Sequence, residues 1–113
     1  MAQYLILIYE PESFYADADP ATFGQVMEAH TRFAEQAGKA LIGGNALQPT
    51  PTATTIRGDI VTDGPFVETK EALGGYYLVE AKDLDEAIAL GKLTPAFGGG
   101  GVEIRPIMVF DQA

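Results

Sequence analysis

Hydrophobic positions along the 113-residue chain group into short apolar runs and stripes at helical spacing. Residues 3–9 (QYLILIY) form a continuous apolar run that is rich in strand formers and predicts a first strand. Apolar side chains then recur three and four positions apart, which predicts a helix over 20–37. Asp19 fits the N-cap of this helix, and Gly38 fits the position just beyond its end.

The rest of the chain predicts strands around a hairpin, then a second helix and a last strand. Gly58-Asp59 is the hairpin signal, and Asp83 with Glu86 resembles a capping box at the start of the second helix. Pro106 indicates that the last strand lies at a sheet edge or carries a bulge. The predicted elements are strands at 40–47, 52–57, 60–62, 76–81 and 102–110, a segment at 66–73 that fits either a helical turn or an ordered loop, and a helix that begins at Leu84 and stops before Pro95.

This order predicts one α+β domain over residues 1–113, with a ferredoxin-like split βαβ layout and an inserted β-hairpin.

Two helices can cover only one face of the sheet, yet three strands are apolar on both faces. The first strand alternates Tyr4, Ile6 and Ile8 with Leu5, Leu7 and Tyr9. Leaving such a face in water forfeits on the order of 10 kcal/mol. We therefore expect a second copy to cover it, sheet against sheet, around a central cavity lined by residues such as Tyr4 or Tyr77. The alternative is that residues 48–75 fold back over this face.

Composition narrows the classes of function. Sixteen acidic against seven basic residues give a formal net charge of −9, which argues against nucleic-acid binding because an acidic surface repels phosphates. The sequence shows neither a membrane-spanning apolar run nor a secretory signal pattern, so we expect a cytoplasmic location. With one His and no Cys, neither a metal site nor a disulfide is expected, and no cofactor motif is found.

His30, the only imidazole, lies on the apolar stripe of the first predicted helix. Partly desolvated and beside an acid, it can act as a general base near neutral pH, and the alternative is a hydrogen-bonded core residue. Asp63 and Glu68 can form an acid–base pair, with Lys70 holding an anionic substrate. The alternative for these three is a turn cap followed by a solvated surface run.

Arg57 and Arg105 lie in predicted strands, where a guanidinium can clamp a carboxylate of a ligand or form an ordinary ion pair. Tyr76 and Tyr77 occupy opposite faces of a strand, so only one of them can line a given pocket.

The segment TDGPFVETKEALGGYYLVEAKDLDEA (62–87) resembles the signature of the YCII-related, DGPF-domain family. The resemblance extends over nearly the whole chain, through the YLILIY opening, LIGGNALQPTPTATTIR and VEIRPIM. Within the signature, the residues that match in register are Asp63, Gly64, Pro65, Phe66, Glu68, Thr69, Lys70, Gly74 and Gly75. The resemblance implies a ferredoxin-like, dimeric α/β-barrel fold, in agreement with the two-faced sheet.

For one branch of the family, a helix His and an Asp shortly after the second strand are proposed as a catalytic pair. His30 matches the helix position, but the Asp has no counterpart in Asn45-Ala46-Leu47-Gln48, and Asp63 comes from a different loop.

The first hypothesis is therefore a small cofactor-free enzyme that carries out acid–base chemistry on a small organic molecule. Its proton carrier is His30 or Asp63, and its candidate substrate-binding residues are Arg57, Glu68, Lys70, Tyr77 and Arg105. Because some relatives are associated with extracytoplasmic-function sigma factors, the alternative is a non-enzymatic ligand-binding or regulatory module with a protein partner of that type. A third hypothesis gives the signature a purely structural role.

Overall fold

The computed structural model describes residues 1–110 as six strands and three helices. The strands are β1 (Ala2–Pro11), β2 (Leu41–Ala46), β3 (Thr54–Arg57), β4 (Ile60–Asp63), β5 (Glu71–Ala81) and β6 (Gly101–Pro106), and the helices are α1 (Ser13–Ala16), α2 (Pro20–Ala37) and α3 (Leu84–Leu93). Strands β2, β5, β1 and β6 form one antiparallel sheet in that order, and β3 pairs with β4 in a separate hairpin. This confirms the mixed α+β class and is consistent with a ferredoxin-like fold.

Both long helices begin at an Asp cap, as the sequence predicts. The Asp19 carboxylate accepts the Thr22 N–H at 2.8 Å, and the Asp83 carboxylate accepts the Glu86 N–H at 2.9 Å. Gly38 ends α2 with φ at 54°, a left-handed value that favours glycine. Helix α2 therefore has its predicted bounds.

Helices α2 and α3 pack on the same face of the sheet. The buried core between the two layers consists of Tyr4, Ile6, Phe33, Ala37, Val79, Ala81, Ala87 and Leu90. On the opposite face, Leu5 of β1 pairs with Leu78 of β5, and Leu7 pairs with Tyr76. No helix within residues 1–110 covers this second face, which agrees with the imbalance predicted from the strand patterns.

The structure corrects several strand boundaries. Strand β6 ends at Pro106 instead of continuing to residue 110, because Pro106 pairs with Tyr4 and only two residues of β1 remain beyond that pair. Strand β5 begins at Glu71 instead of residue 76, since it continues alongside β1 past a bulge between Ile8 and Tyr9. Helix α1 was not predicted.

One expectation about the faces of the sheet, and the alternative to the dimer, are wrong. Tyr4 and Tyr77 belong to the helix-covered face, so they do not line a cavity between two sheets. Residues 48–75 do not cover the centre of the other face, because β3 and β4 contact chiefly each other and the hairpin borders the sheet near Tyr9 and Leu73. The chain is accordingly a slab only 18 Å thick. None of the helices within residues 1–110 has the length and apolar character needed to cross a bilayer.

Candidate functional site

A cleft of about 800 Å³ opens between α2 and the sheet, on the same face as the core. Helix α2 lines it with Phe23, Val26 and Met27, and the facing wall comes from β1, β2 and β5. Most of this lining is apolar, and a cleft of this size and character suits a small organic molecule.

His30 lines this cleft and is held by a hydrogen bond: its Nδ1 lies 2.7 Å from the hydroxyl oxygen of Tyr77. The Tyr77 ring in turn packs on Phe33, with 4.6 Å between ring centres, and Phe33 is almost completely buried. The core therefore positions Tyr77, and Tyr77 positions the imidazole. His30 combines the two sequence-based alternatives, since it is hydrogen-bonded at the edge of the core and also faces the cleft.

Burial determines the charge state of this pair. It lowers the pKa of His30 below its usual value of 6.5, against the opposing effect of the negative charge on Glu10, so the imidazole is neutral at pH 7. Burial also raises the pKa of Tyr77, whose hydroxyl keeps its proton. Neutral His30 and protonated Tyr77 therefore share one hydrogen bond.

Glu10 is a carboxylate buried at the same cleft, with an exposed fraction of 7%. Its Oε1 accepts the Tyr15 hydroxyl at 2.9 Å, and its Oε2 accepts the Phe97 backbone N–H at 2.7 Å. The Phe97 ring lies 6.5 Å from the His30 ring, centre to centre. Burial, and then the hydrogen bond to Glu10, raise the pKa of Tyr15, so this hydroxyl also stays protonated.

Asp63, Glu68 and Lys70 lie away from this cleft. Asp63 is the exposed last residue of β4, and Glu68 and Lys70 are exposed in the loop that leads to β5. The structure thus brings His30 together with Tyr77 and not with Asp63. Among residues 1–110, no group of three or more His, Asp or Glu side chains is arranged to hold a metal ion.

The two strand arginines make contacts elsewhere. The guanidinium carbon of Arg57 lies 3.9 Å from the centre of the Phe66 ring, a cation–π arrangement. Nη1 of Arg105 lies 3.2 Å from Oε2 of Glu103, and both side chains of this ion pair are exposed. Neither arginine lines the cleft.

The signature loop borders a second groove, of about 1030 Å³, between the hairpin and the sheet. Gly64 adopts φ at 100°, its N–H donates to the Ala53 carbonyl at 2.7 Å, and its carbonyl accepts the Thr55 hydroxyl at 2.7 Å. These bonds tie the loop to β3 at a turn that requires glycine. Gly64 of the signature therefore has a structural role.

Sequence reasoning missed Glu10 and Tyr15. A signal for Glu10 is present in the alternation of β1, because Glu10 has the same parity as Ile6 and Ile8 and so falls on the covered face. A carboxylate at such a position is rarely buried unless it is paired. One partner, Tyr15, is only five residues away on α1, whereas the Phe97 backbone reaches Glu10 only through the tertiary fold.

The fold and the cleft define a small α+β protein with an apolar, ligand-sized cleft between a helix and an antiparallel sheet. Residues 2–111 match the YCII-related domain. An uncharacterised protein of Rhizobium meliloti (strain 1021) is 35% identical over an alignment 120 residues long. The alignment covers 95% of this chain and 93% of the relative. The chain belongs to the YCII-related family, and the resemblance noted in its sequence is confirmed.

Proposed function

We propose that this protein is a small acid–base enzyme that binds an organic molecule in the cleft and uses His30 as its general base. The observation that carries the proposal is the 2.7 Å contact between His30 Nδ1 and the Tyr77 hydroxyl at the wall of the cleft. A neutral imidazole in a fixed orientation is the side chain best suited to proton transfer near pH 7.

The proposed step uses the two ring nitrogens differently. With Nδ1–H donating to the Tyr77 oxygen, Nε2 keeps a free lone pair that can take a proton from a bound ligand. The negative charge of Glu10 favours the imidazolium that forms, because it acts on His30 in the direction that raises its pKa. Asp63 has no part in this step.

Proton exchange gives a direct test that does not require the natural substrate. The protein is incubated in D2O with a panel of small uncharged ketones and esters that carry a hydroxyl or N–H group and an acidic C–H, and deuterium incorporation at that carbon is followed by NMR. We expect catalysed exchange for compounds that bind, its loss in His30→Gln, and no change in Asp63→Asn, the matched control outside the cleft. Exchange that persists in His30→Gln, or no exchange of any bound compound, contradicts the proposal.

We also propose that two copies pack through the uncovered sheet face and form the dimeric α/β barrel that the family resemblance implies. Leu5, Leu7 and Leu78 give this face an apolar centre. The radius of gyration is 15.7 Å, whereas compact chains of about 100 residues have values near 13 Å. A second copy packed on this face would produce a more compact particle.

We further propose a cytoplasmic location, since the chain has no Cys that would need an oxidising compartment.

A second candidate function is a non-enzymatic binding or regulatory module with a protein partner, of which a sigma factor is the type suggested by the resemblance. The β3–β4 hairpin favours it, because Ile56, Ile60 and Val61 are 65%, 66% and 63% exposed. Binding of a purified extracytoplasmic-function sigma factor that is lost in an Ile56→Lys, Val61→Lys variant, together with no proton exchange by the wild type, would favour this candidate over the enzyme.

A further inference from the structure

We infer that the cleft takes an uncharged or cationic molecule that donates hydrogen bonds, and that it excludes organic anions. The inference rests on the proposed function, because it concerns the ligand of the same cleft. Among residues 1–110, the acidic side chains that line the cleft are Glu10 and Glu12, and no Lys or Arg lines it. This differs from the expectation of an anionic substrate held by Lys70 or an arginine.

The three arginines make their contacts outside the cleft. Arg32 follows His30 on α2, but its guanidinium pairs with Glu28 at 3.2 Å on the exposed side of the helix. Arg57 stacks on Phe66, and Arg105 pairs with Glu103.

An anion that entered this cleft would therefore lose water without gaining a counter-charge. Removing an ionised group from water without pairing it is strongly unfavourable, and the carboxylate of Glu10 adds repulsion. The formal net charge of −9 acts in the same direction at longer range. Charge therefore selects against carboxylates and phosphates before any contact is made.

Hydrogen-bonding capacity points to a ligand with donors. Each oxygen of Glu10 accepts one bond from the protein, and a carboxylate has about four acceptor positions. Tyr15 uses its proton on Glu10, so its oxygen offers lone pairs only. A hydroxyl or an N–H on an otherwise apolar ligand would match these acceptors and the apolar walls of the cleft.

Three probes that share a naphthalene ring test this inference: 2-naphthol, 2-naphthylmethylammonium and 2-naphthoate. Their Kd values are measured near neutral pH on the full chain by calorimetry, and the NMR signals of the His30 ring report whether the cleft is occupied. We expect 2-naphthol or the ammonium to bind at least about tenfold more tightly than the carboxylate, because an unpaired buried charge costs more than the free energy of a tenfold change.

The quantity compared is the ratio of the naphthoate Kd to the Kd of the tighter of the other two probes. Glu10→Gln should reduce this ratio, because naphthoate then meets one negative charge fewer in the cleft. Glu103→Gln, outside the cleft, should leave the ratio unchanged. Each ratio is taken within one protein, so a partial loss of folding affects all three probes, and the wild-type ratio decides if Glu10→Gln does not fold. Tightest binding by naphthoate overturns the inference and leaves the proposed function standing. No binding by any probe, with the His30 signals unmoved, overturns the inference, and the proposed function then depends on the proton-exchange test alone.

Discussion

His30 Nδ1 and the Tyr77 hydroxyl oxygen lie 2.7 Å apart although the two residues are 47 positions apart along the chain. His30 belongs to α2 and Tyr77 to β5, so this hydrogen bond joins the helix layer to a central strand at the wall of the cleft. Because Phe33 packs on the Tyr77 ring, the orientation of the imidazole depends on the packing of the core. The chemistry of the cleft and the stability of the fold are therefore coupled through one tyrosine.

The pH dependence of stability should report on His30. Its pKa is lowered in the folded protein by burial, whereas in the unfolded chain it is about 6.5. The unfolded state therefore binds the proton more strongly, and the free energy of unfolding should fall as the pH drops from about 6.5 through the folded-state pKa. This contribution is fully present above the unfolded-state value. Urea denaturation of wild type and His30→Gln on both sides of this window should show the fall in the wild type alone, and an equal fall in both proteins would contradict it.

Tyr77→Phe should disturb His30 without emptying the core. The substitution keeps the ring that packs on Phe33 and removes only the hydroxyl bonded to Nδ1. We expect a loss of about 1 kcal/mol in the free energy of unfolding and changed ¹⁵N shifts of the His30 ring. Tyr76→Phe is the matched control, because it removes an exposed hydrogen bond to Asn45. A change in the His30 shifts in the control and not in Tyr77→Phe would assign the imidazole to a different partner.

Elements with local signals could be predicted from the sequence. Helix α2 is marked by the Asp19 cap and by Gly38, and the β3–β4 turn is marked by Gly58, which adopts φ at 59°. The ends of β5 and β6 could not be predicted, because they depend on how far each strand can pair with β1.

The same distinction applies to the site. His30 could be selected as the single imidazole on an apolar stripe, and Tyr77 was among the expected substrate-binding residues. Their contact, and the bond from the Phe97 N–H to Glu10 across 87 residues, arise only when the helix layer packs on the sheet. Residue spacing in the signature drew attention to Asp63, which the hairpin places elsewhere.

Two adjacent glycines of β2 should respond differently to substitution by alanine. A Cβ at Gly44 would lie 2.5 Å from the Tyr76 carbonyl oxygen and 2.6 Å from Cδ1 of Tyr77, whereas one at Gly43 would meet nothing within 4 Å. Gly44→Ala should therefore lower the free energy of unfolding by about 1–3 kcal/mol and move the Tyr77 ring. Gly43→Ala should change it by about 0.5 kcal/mol or less. Denaturant titration measures both, and equal stability of the two variants would show that β2 can move away from β5 at little cost.

Leu7→Lys should separate the proposed dimer without unfolding the protomer. Leu7 lies on the uncovered face in the central strand β1, opposite Tyr76 on β5 and Glu103 on β6. A lysine there can extend to solvent in a single protomer. A two-fold interface would bury two ammonium groups, each beside a Glu103 carboxylate that already pairs with Arg105. Leu84→Lys is the control, because Leu84 is 50% exposed on α3 in the opposite layer. Light scattering at micromolar concentration should give a dimer for wild type and Leu84→Lys and a monomer for Leu7→Lys. A monomeric wild type would refute the dimer, and a dimeric Leu7→Lys would mean that the copies associate through another surface.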